Sequence, residues 1–212
     1  MAFLPMGPDP EPMSQLSPDL PALREAIVSG DPARAMPALA GLRGCAEAEA
    51  IPLLLLGLEQ RSFVVRSLAC AGLGVKRGEA GWQALTTSLR QDDDANVRAE
   101  AANSLASYGV VRAWPLLREA FAADDQWLVR CSILSALAEQ AEMAPEWLLE
   151  LALMALADGD GTVRVGGCEI LGRLLRQGLE PSASAARDRL RTARTDPDHR
   201  VVAAALDGLQ PC

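Results

Sequence analysis

A valine that returns at Val65, Val97, Val129, Val163 and Val201 constrains the fold of this chain more than any other feature. The steps between them are 32, 32, 34 and 38 residues. Eight residues after each valine stands a leucine, at Leu73, Leu105, Leu137, Leu171 and Leu209. Four residues after each stands Ala69, Ala101, Ile133, Gly167 or Ala205. Positions i, i+4 and i+8 share one side of an α-helix, so each segment reads as an amphipathic helix with a narrow apolar seam. Small residues at the middle position leave room for a second helix to approach. The spacing is that of helical-hairpin repeats, which cannot bury an apolar face singly and so stack on their neighbours.

A second series lies between these helices. Ile51, Trp82, Trp114 and Trp147 recur at steps of 31, 32 and 33, and seven residues after each comes Leu58, Leu89, Phe121 or Met154. Each unit is therefore an A helix, a short acidic turn and a B helix. Pro52, Pro115 and Pro145 are placed near the starts of A helices, where a missing N–H costs nothing. Ser62, Asp94, Asp160 and Asp198, three residues before a seam valine, are the expected N-caps of B helices. Gly72, Gly74 and Gly78 read as a helix C-cap and turn.

The predicted fold is all-α: an α-solenoid, a right-handed superhelix of about six hairpins forming a single domain over residues 19–212. Residues 1–18 hold five prolines and read as a flexible leader. The hairpin over roughly 20–44 keeps a turn in Asp31-Pro32-Ala33-Arg34 but loses the seam. The one over roughly 181–210 has a stretched spacing and an arginine-rich A helix. Atypical ends suit a stack, whose terminal units have no outer neighbour to cover them.

Charge narrows the function. The net charge is −8, which argues against a nucleic-acid partner, because displacing counterions from phosphates needs a basic footprint. Residues 1–60 carry eight acids against three bases, whereas residues 180–212 carry five of each. The acidic front either steers a basic partner or keeps an apolar protein in solution. Five cysteines, an odd number without CxxC spacing, read as reduced thiols. No apolar run is long enough to span a bilayer, and the N-terminus lacks the basic region of a secretory signal. The expectation is a cytoplasmic protein without membrane insertion.

The pattern D-x-x-V-R-x-x-A-A-x-x-L followed by A-x-P-L-L stands here as DANVRAEAANSL with RAWPLL, and again as DGTVRVGGCEIL. It resembles the HEAT-like repeats of the phycobilisome-lyase type, found in cyanobacterial bilin lyase subunits and related proteins, over roughly residues 47–210. The resemblance implies a solenoid with its B helices on the concave side, a photosynthesis-related setting and, as an alternative activity, a phycobilin lyase subunit or chromophore chaperone.

Several residues are candidates for binding. The arginines after the valines, Arg66, Arg98, Arg130 and Arg164, with Arg34 in step before them, form a series along one edge. They read either as a ladder bridging turn carboxylates (Asp93, Asp94, Asp124, Asp125, Asp158, Asp160) or as an anion-binding track. Phe63 and Trp127, two residues before their valines, are candidate partner anchors or inter-repeat packing. Trp82, Trp114 and Trp147, in a series begun by Ile51, read as core. Asn103, Ser135, Glu139, Glu169 and Arg173 are outward polar positions on B helices. Cys70, Cys131 and Cys168 read as small apolar residues, or as a thiol path for a bilin or an iron–sulfur cluster.

His199 is the only histidine, which leaves no material for a His-rich metal site and a single imidazole for any histidine-based dyad. The expected role is thus a non-catalytic protein-binding scaffold or assembly factor with no resident cofactor or metal. The alternatives are a bilin lyase subunit that holds a bilin and, further off, an iron–sulfur assembly helper.

Overall fold

A computed structural model describes residues 19–210. The leader reading for residues 1–18 and the cysteine at 212 lie outside the described residues. Those residues form six antiparallel hairpins. The A helices are α1 (Leu20–Val28), α3 (Glu47–Leu58), α5 (Glu79–Gln91), α7 (Val110–Ala123), α9 (Pro145–Leu156) and α11 (Ser182–Ala193). The B helices are α2 (Pro32–Gly41), α4 (Phe63–Lys76), α6 (Ala95–Ala106), α8 (Trp127–Ala138), α10 (Gly161–Gln177) and α12 (His199–Gly208), interleaved with them in chain order. The architecture is an all-helical solenoid. No helix among the described residues is long and apolar enough to cross a membrane.

The B-helix seam is the core of the stack. All five valines, the middle residues Ala69, Ala101, Ile133, Gly167 and Ala205, and the leucines from Leu73 to Leu171 are buried, leaving only Leu209 of the terminal helix half-exposed. Successive B helices pack closely along their length, whereas successive A helices touch sparingly, so the B layer is the inner, concave one. Hydroxyls sew that layer together. Ser104 Oγ donates to the Cys70 carbonyl at 2.9 Å, Ser107 Oγ to Gly74 at 2.7 Å, and Ser132 Oγ to Ala99 at 3.0 Å.

In the A helices the seam differs from the expected one. Trp114 is buried, but Ile51, Trp82 and Trp147 are only half-buried. The deepest residues are instead Leu54, Leu85, Leu117 and Leu151, about one turn further along. The indole rings bridge hairpins: Trp114 stacks on Trp147 with centroids 5.5 Å apart, and Trp82 meets Tyr108 edge-on and carries the Arg112 guanidinium over its face at 4.0 Å.

Two other expectations are corrected. Gly72 and Gly74 lie inside α4, not at its end. A Cβ at Gly72 would meet Leu54 at 2.3 Å, and one at Gly74 would meet Ser104 at 2.8 Å, so both positions are kept bare by close packing. The helix is ended by Arg77 in the left-handed region (φ 58°), and Gly78 caps the start of α5. Pro145 does open its helix, but Pro52 and Pro115 sit six residues into α3 and α7. The carbonyls they leave without an N–H partner belong to Ala48 and Val111, both exposed, so water can serve them.

Candidate functional site

The acidic turns between A and B helices are built around one repeated device. Asp92, Asp124, Asp158 and Asp196 each accept the backbone N–H two residues on, at Asp94, Gln126, Asp160 and Asp198. The residue receiving that turn is the N-cap of the B helix. Asp94, Asp160 and Asp198 accept a further N–H from the first turn, as their position predicts, whereas Ser62 and Gln126 occupy the cap without a side-chain bond.

Onto the first aspartate of each turn comes the arginine of the preceding repeat. Arg66 grips Asp92, Arg98 grips Asp124, Arg130 grips Asp158 and Arg164 grips Asp196, each through Nε and Nη2 to both carboxylate oxygens. The Nη1 group of the same arginine donates back to a carbonyl six residues earlier: Gln60, Asp92, Asp124 and Asp158. Asp92, Asp124 and Asp158 are therefore shared between two arginines, one on the carboxylate and one on the carbonyl. The four arginine side chains are 13–14% exposed.

This geometry is the carboxylate-ladder arrangement with a changed membership: of the expected acids, Asp124 and Asp158 are rungs, Asp93 adds a contact to Arg66 Nη2 at 2.8 Å, Asp125 lies 4.0 Å from Arg98, and Asp94 and Asp160 serve as helix caps instead. Asp92 and Asp196 are the rungs at its ends, and neither was among the expected turn acids. Arg34 is not a rung; it pairs with Glu25 inside its own hairpin, because the residue 26 further on is Gln60 rather than an aspartate.

The ladder sets the acidities of its members. Burial pushes the Asp92 and Asp124 carboxyls up, but bonds from Arg66 and Arg98 and from the turn N–H groups outweigh it and hold both below the usual carboxylate range. At Asp196 the bond from Arg164 is the largest influence and lowers it as well.

Phe63 and Trp127 stand at the first position of α4 and α8, 42% and 47% exposed, on the edge that carries the ladder. They are separated by a whole repeat, so the structure does not bring them together.

The concave face is a different surface. Asn103, Ser135 and Glu169 occupy the sixth position after the seam valine in α6, α8 and α10, and all three are exposed. Asn103 receives the Ser132 hydroxyl from α8 at 2.9 Å. Ser135 and Glu169 line one groove of about 560 Å³ between α8 and α10, together with Glu139, Arg173, Leu134 and Ile170. Glu100, which the sequence reading did not single out, lies on α6 one turn before Ser104. Burial raises its carboxyl above the usual range, and the neighbouring Asn103 and Ser104 side chains lower it in part.

The thiols are quiet. Burial pushes Cys70 up to about 12 and Cys168 to about 11, and raises half-buried Cys131 as well. Among the described residues no group of three or more His, Cys, Asp or Glu side chains is placed to hold a metal ion.

No curated protein matches this sequence. Among solved structures, the chain is similar to human deoxyhypusine hydroxylase in complex with glycerol, at 17% identity and a TM-score of 0.48, over 90% of this chain and 94% of that one. It is also similar to the complex of CpcE and CpcF of phycocyanin lyase from Nostoc sp. PCC7120, at 17% identity and a TM-score of 0.41, over 90% of this chain and 98% of that one. At these values neither likeness says what this chain binds. Residues 51–138, from within α3 to the end of α8, match the family model for HEAT repeats, and the stack of helical hairpins they belong to continues on both sides of them.

Proposed function

We propose that this chain is a protein-binding scaffold whose concave B-helix face receives its partner. The observation that carries this reading is the solvent-facing sixth position after each seam valine. It presents Asn103, Ser135, Glu169 and Asp207, all exposed, in four consecutive repeats after a half-buried Ala71, a row of small or acidic side chains with a groove beside it. Such a row offers many weak contacts and leaves room for a partner's larger anchors. Glu100, Glu139, Glu169 and Asp207 share the face with Arg173, Arg176 and Arg200, so its charges are mixed, with the acids leading over α6 and α8.

Phe63 and Trp127 supply apolar anchors on the adjoining edge. The four ladder arginines are engaged within the chain and support the face by holding successive B helices in register. The finer expectation of a photosynthesis-related partner follows from the resemblance of the repeat.

A photo-crosslinking residue placed at Ser135 tests the reading in the native cell, with the same residue at exposed Gln83 of α5 as the comparison. A discrete crosslinked partner at Ser135 and none at Gln83 is expected. Crosslinks from Gln83 alone would overturn the assignment of the face.

A further inference from the structure

We infer that the concave surface over α4 takes an amphipathic helix of the partner protein, with that helix's apolar face on α4 and a basic residue on Glu100. The inference rests on the concave-face reading above and names the chemistry of what sits there.

The four concave positions of each B helix lie one residue before the seam valine and three, six and ten after it. In α4 they are Val64, Leu68, Ala71 and Val75, all apolar; α6 has none apolar at these positions, α8 has one, and α10 has none. Val64 is 37% exposed and Val75 is 55% exposed. Spacings of three and four residues put the four side chains in one stripe about three turns long. Leu68, Ala71 and Val75 also wall a groove of about 330 Å³ whose other side is Ala40 and Arg43. An isolated exposed valine is ordinary, but two exposed valines at the ends of a stripe whose middle members, Leu68 and Ala71, are half-buried, on a helix whose counterparts α6, α8 and α10 are mostly polar at these positions, mark a surface to be covered.

Charge selects the occupant. Ser104 donates to the Cys70 carbonyl, so the side of α6 that carries Ser104 and Glu100 faces α4, and the Glu100 charge is felt at the Cys70 thiol. Glu100 is half-buried there without a cation in contact among the described residues. A partly desolvated carboxylate gains from an incoming ammonium or guanidinium, which returns the electrostatic stabilisation that burial removed. On the opposite rim Arg43 is exposed and has no ion pair among the described residues, while Lys76 Nζ is held by the carbonyls of Arg43 and Cys45 at 2.9 and 2.6 Å. The occupant therefore carries its basic residues on the α6 flank and its acidic residues on the α2 flank, a polarity that fixes its direction.

The test uses a helical peptide of about four turns with a leucine stripe, lysines along one flank and glutamates along the other. Its binding to the full chain is read by fluorescence anisotropy, beside a peptide with glutamate on both flanks. The lysine-flanked peptide is expected to bind, about tenfold more weakly to Glu100→Gln, and not measurably to Val75→Arg. Glu100→Lys is expected to reverse the preference between the two peptides. Circular dichroism confirms that each variant is folded.

Equal binding of the two peptides, indifference to Glu100, or no binding of either overturns the inference. So does a sedimenting dimer dispersed by Val75→Arg, which would make a second copy of this chain the occupant. These failures leave the concave-face reading standing if Ser135 still crosslinks a partner. Loss of that crosslink removes the reading itself.

Discussion

Arg98 holds both carboxylate oxygens of Asp124, at 2.7 Å through Nε and 3.1 Å through Nη2, across the boundary between two repeats. Its Nη1 donates at 3.0 Å to the carbonyl of Asp92, the residue whose carboxylate is held by Arg66. One side chain thus ties two successive turns together, and the arrangement repeats down the stack. Neighbouring hairpins are locked in register by these links as well as by the apolar seam.

Arg98→Ala is expected to lower stability by about 3 kcal/mol, because it strands a mostly buried Asp124 carboxylate and leaves the Asp92 carbonyl without its donor. Arg98→Lys keeps the charge but not the planar fork, so a smaller loss is expected. The exposed pair Arg90–Glu119 offers the contrast; Arg90→Ala should change stability by about 0.5 kcal/mol or less. Urea titration of the three variants checks the order.

Stability should also fall in acid through the same groups. Asp92, Asp124 and Asp196 have folded-state acidities below the ordinary value of 3.8. A depressed carboxylate contributes stability that is fully present above that value and is lost as pH falls through the lower folded one. The loss is therefore expected below about pH 4, with little change from there to neutrality from these three groups. Replacing Arg164 by alanine should flatten the acid dependence, measured as the denaturation midpoint at stepped pH.

Gly172 of α10 and Gly208 of α12 meet back to back. A Cβ at Gly172 would stand 2.8 Å from the Gly208 Cα, a backbone atom that cannot turn aside. Gly172→Ala should destabilise the last hairpin by about 1–3 kcal/mol despite the gain in helix propensity. Hydrogen exchange should show the loss confined to α11 and α12. Uniform protection along the chain would contradict this.

Cysteine chemistry gives a further check, carried out on C212S protein. Cys70 and Cys168 are fully buried, with thiols pushed up to about 12 and about 11, and should resist a disulfide reagent until the chain unfolds. Half-buried Cys131 should react first and slowly. Rapid native labelling of Cys70 or Cys168 would revive the expectation of a thiol path for a bilin or a cluster.

The B-helix seam was legible because valine, a small residue and leucine recur at helical spacing, and the same residues are buried in the structure. The ladder was legible in its arginines but not in all its carboxylates. Asp92 stands two residues before the cap rather than at it, a placement fixed by the turn N–H it accepts. Asp196 is 32 residues from Arg164 instead of 26, chiefly because α10 runs to 17 residues where α6 has 12. The A helices were misread in depth. Tryptophan is the conspicuous repeat there, yet its size lets it bridge hairpins at the margin while Leu54, Leu85, Leu117 and Leu151 fill the interior. On the concave face Asn103, Ser135 and Glu169 were readable from register. Glu100 and the α4 stripe needed the relation between two B helices, which periodicity within one helix does not contain.

The most direct test of a concave, partner-binding face is recovery of the native partner by tagged chains carrying Ser135→Arg with Glu169→Arg, beside a chain carrying Gln83→Arg on the convex side. All three positions are exposed, so each variant should fold. The convex variant is expected to retain its partner and the concave double variant to lose it at least tenfold. Equal recovery by both, or loss in the convex variant alone, would contradict it.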